Sequence, residues 1–122
     1  MKKLISFFEI PAADFKRAVK FYETILSIQL AVFECDEEKM AIFPEEDGMA
    51  PGAISYASDF YPSKDGVLIS LYCNDINVTL ALVEANKGKV TRPKTKIEVE
   101  GRGYFATFID SEGNGIGLYS DN

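Results

Sequence analysis

The side chains that could do chemistry in this chain are carboxylates, hydroxyls, phenols, amines and two thiols, because its 122 residues include no histidine. The absence of imidazole excludes Ser-His-Asp and Cys-His nucleophiles, histidine-containing zinc sites and imidazole acid–base catalysis. Cys35 and Cys73 lie far apart, form no CxxC pair and do not make a disulfide framework. We expect both thiols to be buried small apolar side chains rather than nucleophiles.

Composition and charge narrow the class of protein further. The chain is 13.5 kDa, 47% apolar and 26% charged, which is typical of one globular domain. Its net charge of −6 and pI of about 4.6 argue against sequence-independent binding of nucleic acid. The sequence contains no signal peptide and no apolar run of membrane-spanning length, so we expect a cytoplasmic protein without a membrane partner.

The charges are unevenly distributed along the sequence. Residues 34–47 contain seven acids and one base, whereas residues 87–102 contain six bases and two acids. These stretches are interpreted either as two solvated loop surfaces or as complementary surfaces that steer two subunits of a dimer together. The glycines of 101–103 and 113–115 lack the spacing of phosphate-binding loops and indicate turns.

The elements that position these groups are repeated at an interval of 61 residues. In the first half, residues 4–10 alternate as a strand that Pro11 ends, Asp14 is a candidate N-cap, and residues 15–26 have one apolar helical face. In the second half, residues 67–73 form the strand, Asp75 is the N-cap, residues 76–83 are the helix, and Gly88 ends it. Short strands follow each helix, at 28–34, 39–43 and 53–58 and at 89–91, 104–109 and 116–120.

Each half is therefore predicted to be a βαβββ module within one domain. We place module 1 at about 1–59, a linker at about 60–66 and module 2 at about 67–122 of the 1–122 domain. Neither module could bury both faces of its sheet alone.

Several segments resemble the vicinal oxygen chelate superfamily, which includes glyoxalase I, bleomycin-resistance proteins and extradiol dioxygenases. They are residues 8–14, 18–22 and 74–76, and the Asp-Ser-Glu-Gly-Asn-Gly turn with its following strand at 110–118. Residues 61–67 are in addition typical of a subgroup related to lactoylglutathione lyase. The resemblance implies an α+β fold in which two tandem βαβββ modules form a cup-shaped, partly open mixed β-barrel with the helices outside. It also implies a homodimer.

The resemblance further implies four positions, one on each of four strands, at which metal-dependent members carry a ligand. Here these positions fall on Phe7, Ser55 (within about one residue), Leu68 and Gly117. Phenyl, alkyl and glycyl groups offer no lone pair, and a lone hydroxyl is a poor ligand. We therefore expect no catalytic metal and no cofactor, and interpret these residues as the lining of a ligand pocket.

The remaining candidates are polar residues that strand alternation places on the inside of the implied cup. Glu9 shares the face of Phe7, where it could orient a ligand, act as the catalytic base, or pair with a neighbouring strand or reach solvent. Ser55, Ser70, Tyr72 and Tyr119 could donate hydrogen bonds to a ligand, or could form a polar sheet face exposed to water.

Three functions remain open at this stage. The chain is predicted first to bind an unidentified small molecule without a metal. One alternative is a glyoxalase-type lyase or isomerase that uses Glu9 as base and holds a metal elsewhere. Another is a drug-sequestering protein of the bleomycin-resistance type, in which aromatic and acidic side chains hold a cationic drug.

Overall fold

A computed structural model of the chain describes residues 4–122, which form two modules with the same order of elements. The first module contains β1 (Phe8–Pro11), α1 (Phe15–Leu26), β2 (Ala31–Cys35), β3 (Glu38–Ile42) and β4 (Gly52–Tyr56). The second contains β5 (Ile69–Tyr72), α2 (Ile76–Ala85), β6 (Lys89–Lys96), β7 (Tyr104–Ile109) and β8 (Gly115–Ser120). The predicted pair of βαβββ modules is confirmed.

Each module folds into one four-stranded sheet. The first sheet has the order β1-β4-β3-β2 and the second the order β5-β8-β7-β6. In both sheets the first pair of strands is parallel and the other pairs are antiparallel. The two sheets are separate and not closed, so they form a partly open, mixed cup with the helices outside, as the resemblance implied.

The two helices begin at the predicted aspartates. The Asp14 carboxylate accepts a hydrogen bond from the Arg17 amide at 3.1 Å, and the Asp75 carboxylate accepts one from the Val78 amide at 3.2 Å. Each bond satisfies one of the free amides of the first helical turn. Neither helix of residues 4–122 is long and apolar enough to cross a membrane.

The first strand differs from its prediction at both ends. Residues 4–7 lie outside the sheet and leave Leu4 and Ile5 exposed, whereas Pro11, predicted to end the strand, is its last member and lies in register with Ser55. A proline is tolerated there because β1 is an edge strand, where one missing amide donor need not break a ladder. β7 has its predicted bounds, and the other strand boundaries shift by no more than three residues, except that β6 continues five residues past its predicted core.

Gly88 was expected to end the second helix, and its amide does donate to the Val83 carbonyl at 2.8 Å, although Gly88 itself has no positive φ. The left-handed residue after α2 is Lys87, with φ of 74°. A Cβ at Gly88 would lie 2.6 Å from Val83 Cγ1 and 2.9 Å from the Ile109 carbonyl oxygen. Gly88 is therefore required for close packing between α2 and β7 rather than for a positive φ.

One hydrophobic core joins both modules. The rings of Phe21 on α1 and Phe108 on β7 lie 6.2 Å apart, and Ile54 of the first sheet and Leu118 of the second are fully buried in the same cluster. Tyr22 of α1 donates a hydrogen bond of 2.5 Å to the buried Asp110 carboxylate at the end of β7. Burial, and next the negative charge of Asp110, raises the pKa of Tyr22 well above its usual value, so the phenol stays protonated.

The turn between β7 and β8 attaches the second module to the first helix. The Glu112 carboxylate accepts hydrogen bonds from the amides of Ala13 and Asp14 at 2.8 and 2.7 Å, and pairs with the Arg17 guanidinium at 2.7 Å. The Asn114 side-chain amide donates to the Pro11 carbonyl at 2.8 Å. These bonds of Glu112 with residues 13–17 thus join the two modules at the start of α1.

Candidate functional site

The candidate site lies on the face of the first sheet that points away from the helices, here called the front face. Alternation places Ile10, Ala41 and Ile54 in the core, so their neighbours Glu9 and Ser55 point to the front. The Ser55 hydroxyl donates a hydrogen bond of 2.7 Å to Glu9 Oε1. The structure therefore brings together two of the predicted residues, from adjacent parallel strands.

A cavity of about 610 Å³ opens in front of this pair, and we call it the front cavity. Its volume falls within the range of small-molecule sites. Its lining consists of residues of β1 to β4 and of the segment that follows β4, namely Glu9, Phe33, Cys35, Glu38, Lys39, Met40, Ser55, Tyr56, Ala57, Asp59 and Phe60.

The lining combines apolar rings with an excess of negative charge. Glu9, Glu38 and Asp59 contribute three carboxylates, and Lys39 contributes the single cation of the lining. The Lys39 ammonium lies 3.7 Å from the Glu34 carboxylate and 5.9 Å from the centre of the Tyr56 ring, so its charge is already partly compensated.

Glu9 also faces the second module. Glu9 and Phe60 both line a second cavity of about 230 Å³, together with residues of the linker and of the second sheet that include Ile69 and Ile116. The segment after β4, predicted to be a linker, thus lines both of the cavities that Glu9 lines.

The predicted residues of the second sheet are not part of the front cavity. Ser70 and Gly117 lie side by side in register on β5 and β8, and a Cβ at position 117 would lie 2.4 Å from the Ser70 hydroxyl oxygen. Gly117 is therefore needed so that Ser70 can lie across it. Ser70 and Tyr72 line a different cavity, of about 470 Å³, with Phe8, Phe43 and Leu71.

Tyr72 and Tyr119 form a pair on the second sheet. Their ring centres are 6.3 Å apart, and both hydroxyls donate to the Asp121 carboxylate, Tyr119 at 3.0 Å and Tyr72 at 3.4 Å. Tyr72 is 56% exposed. Desolvation, and next the negative charge of Asp121, raises the pKa of Tyr72 above its usual value. The Tyr72 phenol thus remains a donor at neutral pH.

The four positions implied for a metal do not fit one. Phe7 and Leu68 precede β1 and β5 and are 38% and 54% exposed, and Gly117 has no side chain. Ser55 supplies one hydroxyl, which already bonds Glu9. Among residues 4–122, no group of three or more histidine, cysteine, aspartate or glutamate side chains could hold a metal ion. A cofactor-free site stays a prediction.

Some residues of the front cavity were missed or misjudged from the sequence. Cys35 was expected to be buried but is exposed. It is the last residue of the outer strand β2, which has no neighbouring strand on its other side among residues 4–122. Cys73 is buried, as expected. Phe33 and Met40 were not proposed as site residues, although they lie in register with each other and Met40 with Ser55. Only the register of three strands reveals this alignment.

Comparison with known proteins gives a fold but no close relative. No protein-family model matches the chain, and no curated protein sequence matches it. Among solved structures, a glyoxalase I mutant from Zea mays is 18% identical with a TM-score of 0.74, over 94% of this chain and 46% of that one. This chain thus spans about half the length of maize glyoxalase I.

Two structures of similar length match over nearly the whole of both chains. A glyoxylase/bleomycin resistance protein/dioxygenase domain from Frankia sp. is 12% identical with a TM-score of 0.73, over 100% of both chains. A glyoxalase/bleomycin resistance protein from Albidiferax ferrireducens is 16% identical with a TM-score of 0.69, over 97% of this chain and 98% of that one. With its paired βαβββ modules, this chain has the fold of the vicinal oxygen chelate superfamily.

Proposed function

We propose that the chain binds a small organic cation with an apolar or aromatic body in the front cavity. The observation that carries this proposal is the lining itself, which sets three carboxylates among the side chains of Phe33, Met40 and Phe60 in a space of about 610 Å³. Carboxylates attract a cation, and aromatic rings stabilise it further through their faces.

Glu9 is the central anchor of this proposal. Its hydrogen bond from Ser55 holds one carboxylate oxygen, so the second oxygen can receive a hydrogen bond from an ammonium group of the ligand. The Lys39 ammonium does not compete strongly with a ligand cation for Glu9, because it lies near Glu34 and over the Tyr56 ring. The site therefore discriminates by charge, favouring cations over anions of the same shape.

The bleomycin-resistance alternative is a specific form of this proposal. A sequestering protein needs a site that binds its ligand but no reacting group, and the carboxylates and rings that line the front cavity support such a role. The lyase alternative needs Glu9 to act as a base beside a Lewis acid held outside the four implied positions, and among residues 4–122 no group of three or more histidine, cysteine, aspartate or glutamate side chains could hold such an ion. Turnover of the methylglyoxal–glutathione hemithioacetal with added divalent ions would favour the lyase.

The proposal is tested with three probes that share an indole ring and differ in charge, namely tryptamine, tryptophol and indole-3-acetate. We expect tryptamine to raise the melting temperature most and indole-3-acetate least, since a ligand stabilises by RT ln(1 + [L]/Kd). Glu9→Gln should weaken tryptamine binding by about tenfold or more, which is about 1.4 kcal/mol.

A matched control separates the local charge from the overall charge. Glu84→Gln removes the same charge from the exposed face of α2, outside the front cavity, and should leave tryptamine binding unchanged. Indole-3-acetate binding as tightly as tryptamine would contradict the proposal, as would unchanged tryptamine affinity in Glu9→Gln.

A further inference from the structure

The second cavity, of about 230 Å³, adjoins the front cavity at two shared side chains. Glu9 and Phe60 line both spaces, so the Glu9 carboxylate lies at the boundary between them. The front cavity has two further carboxylates and one ammonium, whereas Glu9 is the only charged residue that residues 4–122 contribute to the lining of the second cavity. A cation bound at Glu9 therefore has a charged space on one side and an uncharged space on the other.

The inner wall of the second cavity is aliphatic. It contains three isoleucines, of which Ile10 on β1 and Ile116 on β8 are buried and Ile69 on β5 is half-buried. These side chains come from both sheets, and the exposed Val67 lies at the opening of the cavity to solvent. The second cavity thus offers apolar surface that a ligand can cover.

Asn114, the buried polar residue of this wall, is already bonded to other parts of the chain. Its side-chain amide donates to the Pro11 carbonyl at 2.8 Å, and its side-chain oxygen accepts from the Ser63 amide at 3.1 Å. The Gly115 amide also donates to the Ser63 carbonyl at 3.2 Å, which holds the segment after β4 against β8. The chain's own hydrogen bonds thus fix the walls of the second cavity, which lowers the entropic cost of binding a ligand there.

We propose that the second cavity holds the alkyl tail of a cation whose charged head is bound at Glu9. This inference rests on the proposed function, and it narrows the ligand to an amphipathic ammonium compound with an unbranched chain. A methylene group is about as large as a water molecule, whose share of the liquid is about 30 Å³, so the cavity has room for about six to eight carbons. A space of this volume with aliphatic walls suits a chain, which passes beside the Phe60 ring to reach it.

Chain length should control affinity, because each methylene that enters the second cavity leaves water. Full burial of one methylene strengthens binding about fourfold, and we expect about two- to fourfold here because the cavity is open to solvent at Val67. The affinity should therefore rise at least about tenfold from butylammonium to octylammonium. It should stop rising beyond octylammonium, because further carbons lie outside the cavity.

Calorimetry with butyl-, hexyl-, octyl- and decylammonium ions tests this expectation. The measurements are made at pH 7, where alkylamines are protonated as the lysine side chain is, and below the concentrations at which these ions form micelles. 1-Octanol is the uncharged probe of the same length. An affinity that is the same for butylammonium and octylammonium, or that rises to decylammonium without a break, overturns the proposal.

Ile69→Ala and Leu71→Ala test where the chain lies. Both substitutions remove the same number of carbons from a half-buried side chain of β5, but Ile69 lines the second cavity and Leu71 lines neither it nor the front cavity. In Ile69→Ala, the ratio of decylammonium to octylammonium affinity should rise about fourfold or more, because the cavity is larger. Leu71→Ala should leave the series unchanged. A ratio unchanged in Ile69→Ala contradicts the proposal.

Ile69→Phe gives the opposite change and an independent result if Ile69→Ala does not fold. The larger side chain takes up part of the second cavity, so the series should stop rising at hexylammonium. A series that still rises to octylammonium in folded Ile69→Phe contradicts the proposal.

The proposed function and the tail site fail in different measurements. If Glu9→Gln weakens tryptamine binding but the alkylammonium series is flat, the proposed function is supported and the tail site is refuted. If 1-octanol binds as tightly as octylammonium and Ile69→Ala still shifts the series, the tail site is supported and the proposed role of charge at Glu9 is refuted.

Discussion

Removing the Glu112 carboxylate should destabilise the protein, because this group joins the β7–β8 turn to the start of α1. In Glu112→Ala, the amides of Ala13 and Asp14 lose their acceptor at the start of α1, and Arg17 loses its partner. The Glu112 side chain is only 1% exposed, so water cannot replace it without local opening. The substitution therefore weakens the attachment of the second module to α1, while the contacts of Tyr22 with Asp110 and of Phe21 with Phe108 remain.

The magnitude follows from the contacts that are lost. Loss of the acceptor for these two amides is comparable to loss of a helix cap, which costs about 0.5–2 kcal/mol in measured variants. A hydrogen bond to a charged group contributes about 1.5–3 kcal/mol, and we use the lower end because the Arg17 side chain is 51% exposed and well solvated. We expect the free energy of unfolding to fall by about 2–4 kcal/mol.

Urea unfolding followed by circular dichroism measures this loss, with Arg17→Ala and Glu84→Ala as matched variants. Arg17→Ala should cost about 1 kcal/mol, because Glu112 keeps both amide donors. Glu84→Ala, on the exposed face of α2, should change the free energy by less than about 0.5 kcal/mol. If Arg17→Ala cost as much as Glu112→Ala, the amide contacts would contribute nothing and the reasoning would be refuted.

Three further outcomes are expected from the same packing. Burial raises the pKa of Glu112, but hydrogen bonds from Arg17, from the Asp14 amide and from Ser111 outweigh it and hold that pKa below its usual value. The stabilisation that ionised Glu112 gives the fold is therefore complete above about pH 4.5 and decreases as the pH falls toward the folded pKa. Glu112→Gln should lose this part of the dependence of stability on acid pH. Gly88→Ala should cost about 1–3 kcal/mol in urea, whereas Gly66→Ala, whose Cβ would meet only Ser63 Cβ at 3.9 Å, should be near neutral. A thiol reagent should label Cys35 in the folded protein and Cys73 only after unfolding, and equal labelling of both would contradict the burial of Cys73.

The architecture was predictable because it depends on local signals that repeat. Asp14 and Asp75 precede apolar helical faces at an interval of half the chain, and both cap their helices in the structure. Gly88 shows the limit of such signals, since a glycine near a helix end suggests a positive φ, whereas here it permits contact with Ile109, a residue distant in sequence. Glu112 was likewise assigned only to a turn, because its contacts cross between modules.

The site was predictable only within each strand. Alternation placed Glu9 and Ser55 on one face, and the structure joins them by a hydrogen bond. Strand alternation could not reveal that Ser70 and Tyr72 line a different cavity, because the lining of a cavity depends on how the two sheets are arranged. Nor could it place Cys35 at an exposed edge, since the position of β2 in the sheet order comes from pairings between distant strands.

The Glu9–Ser55 pair leads to a prediction about metals. It joins β1 and β4, two of the four strands on which the resemblance places metal ligands, but it offers one carboxylate and one hydroxyl that are already bonded to each other. Under the proposed function, this pair therefore binds the cation by charge and hydrogen bonding rather than through a coordinated metal. Tryptamine affinity should therefore be the same in magnesium, in zinc and in a chelator, measured by calorimetry at fixed ionic strength. An affinity that rises tenfold with one divalent ion would place this cavity among metal-assisted sites instead.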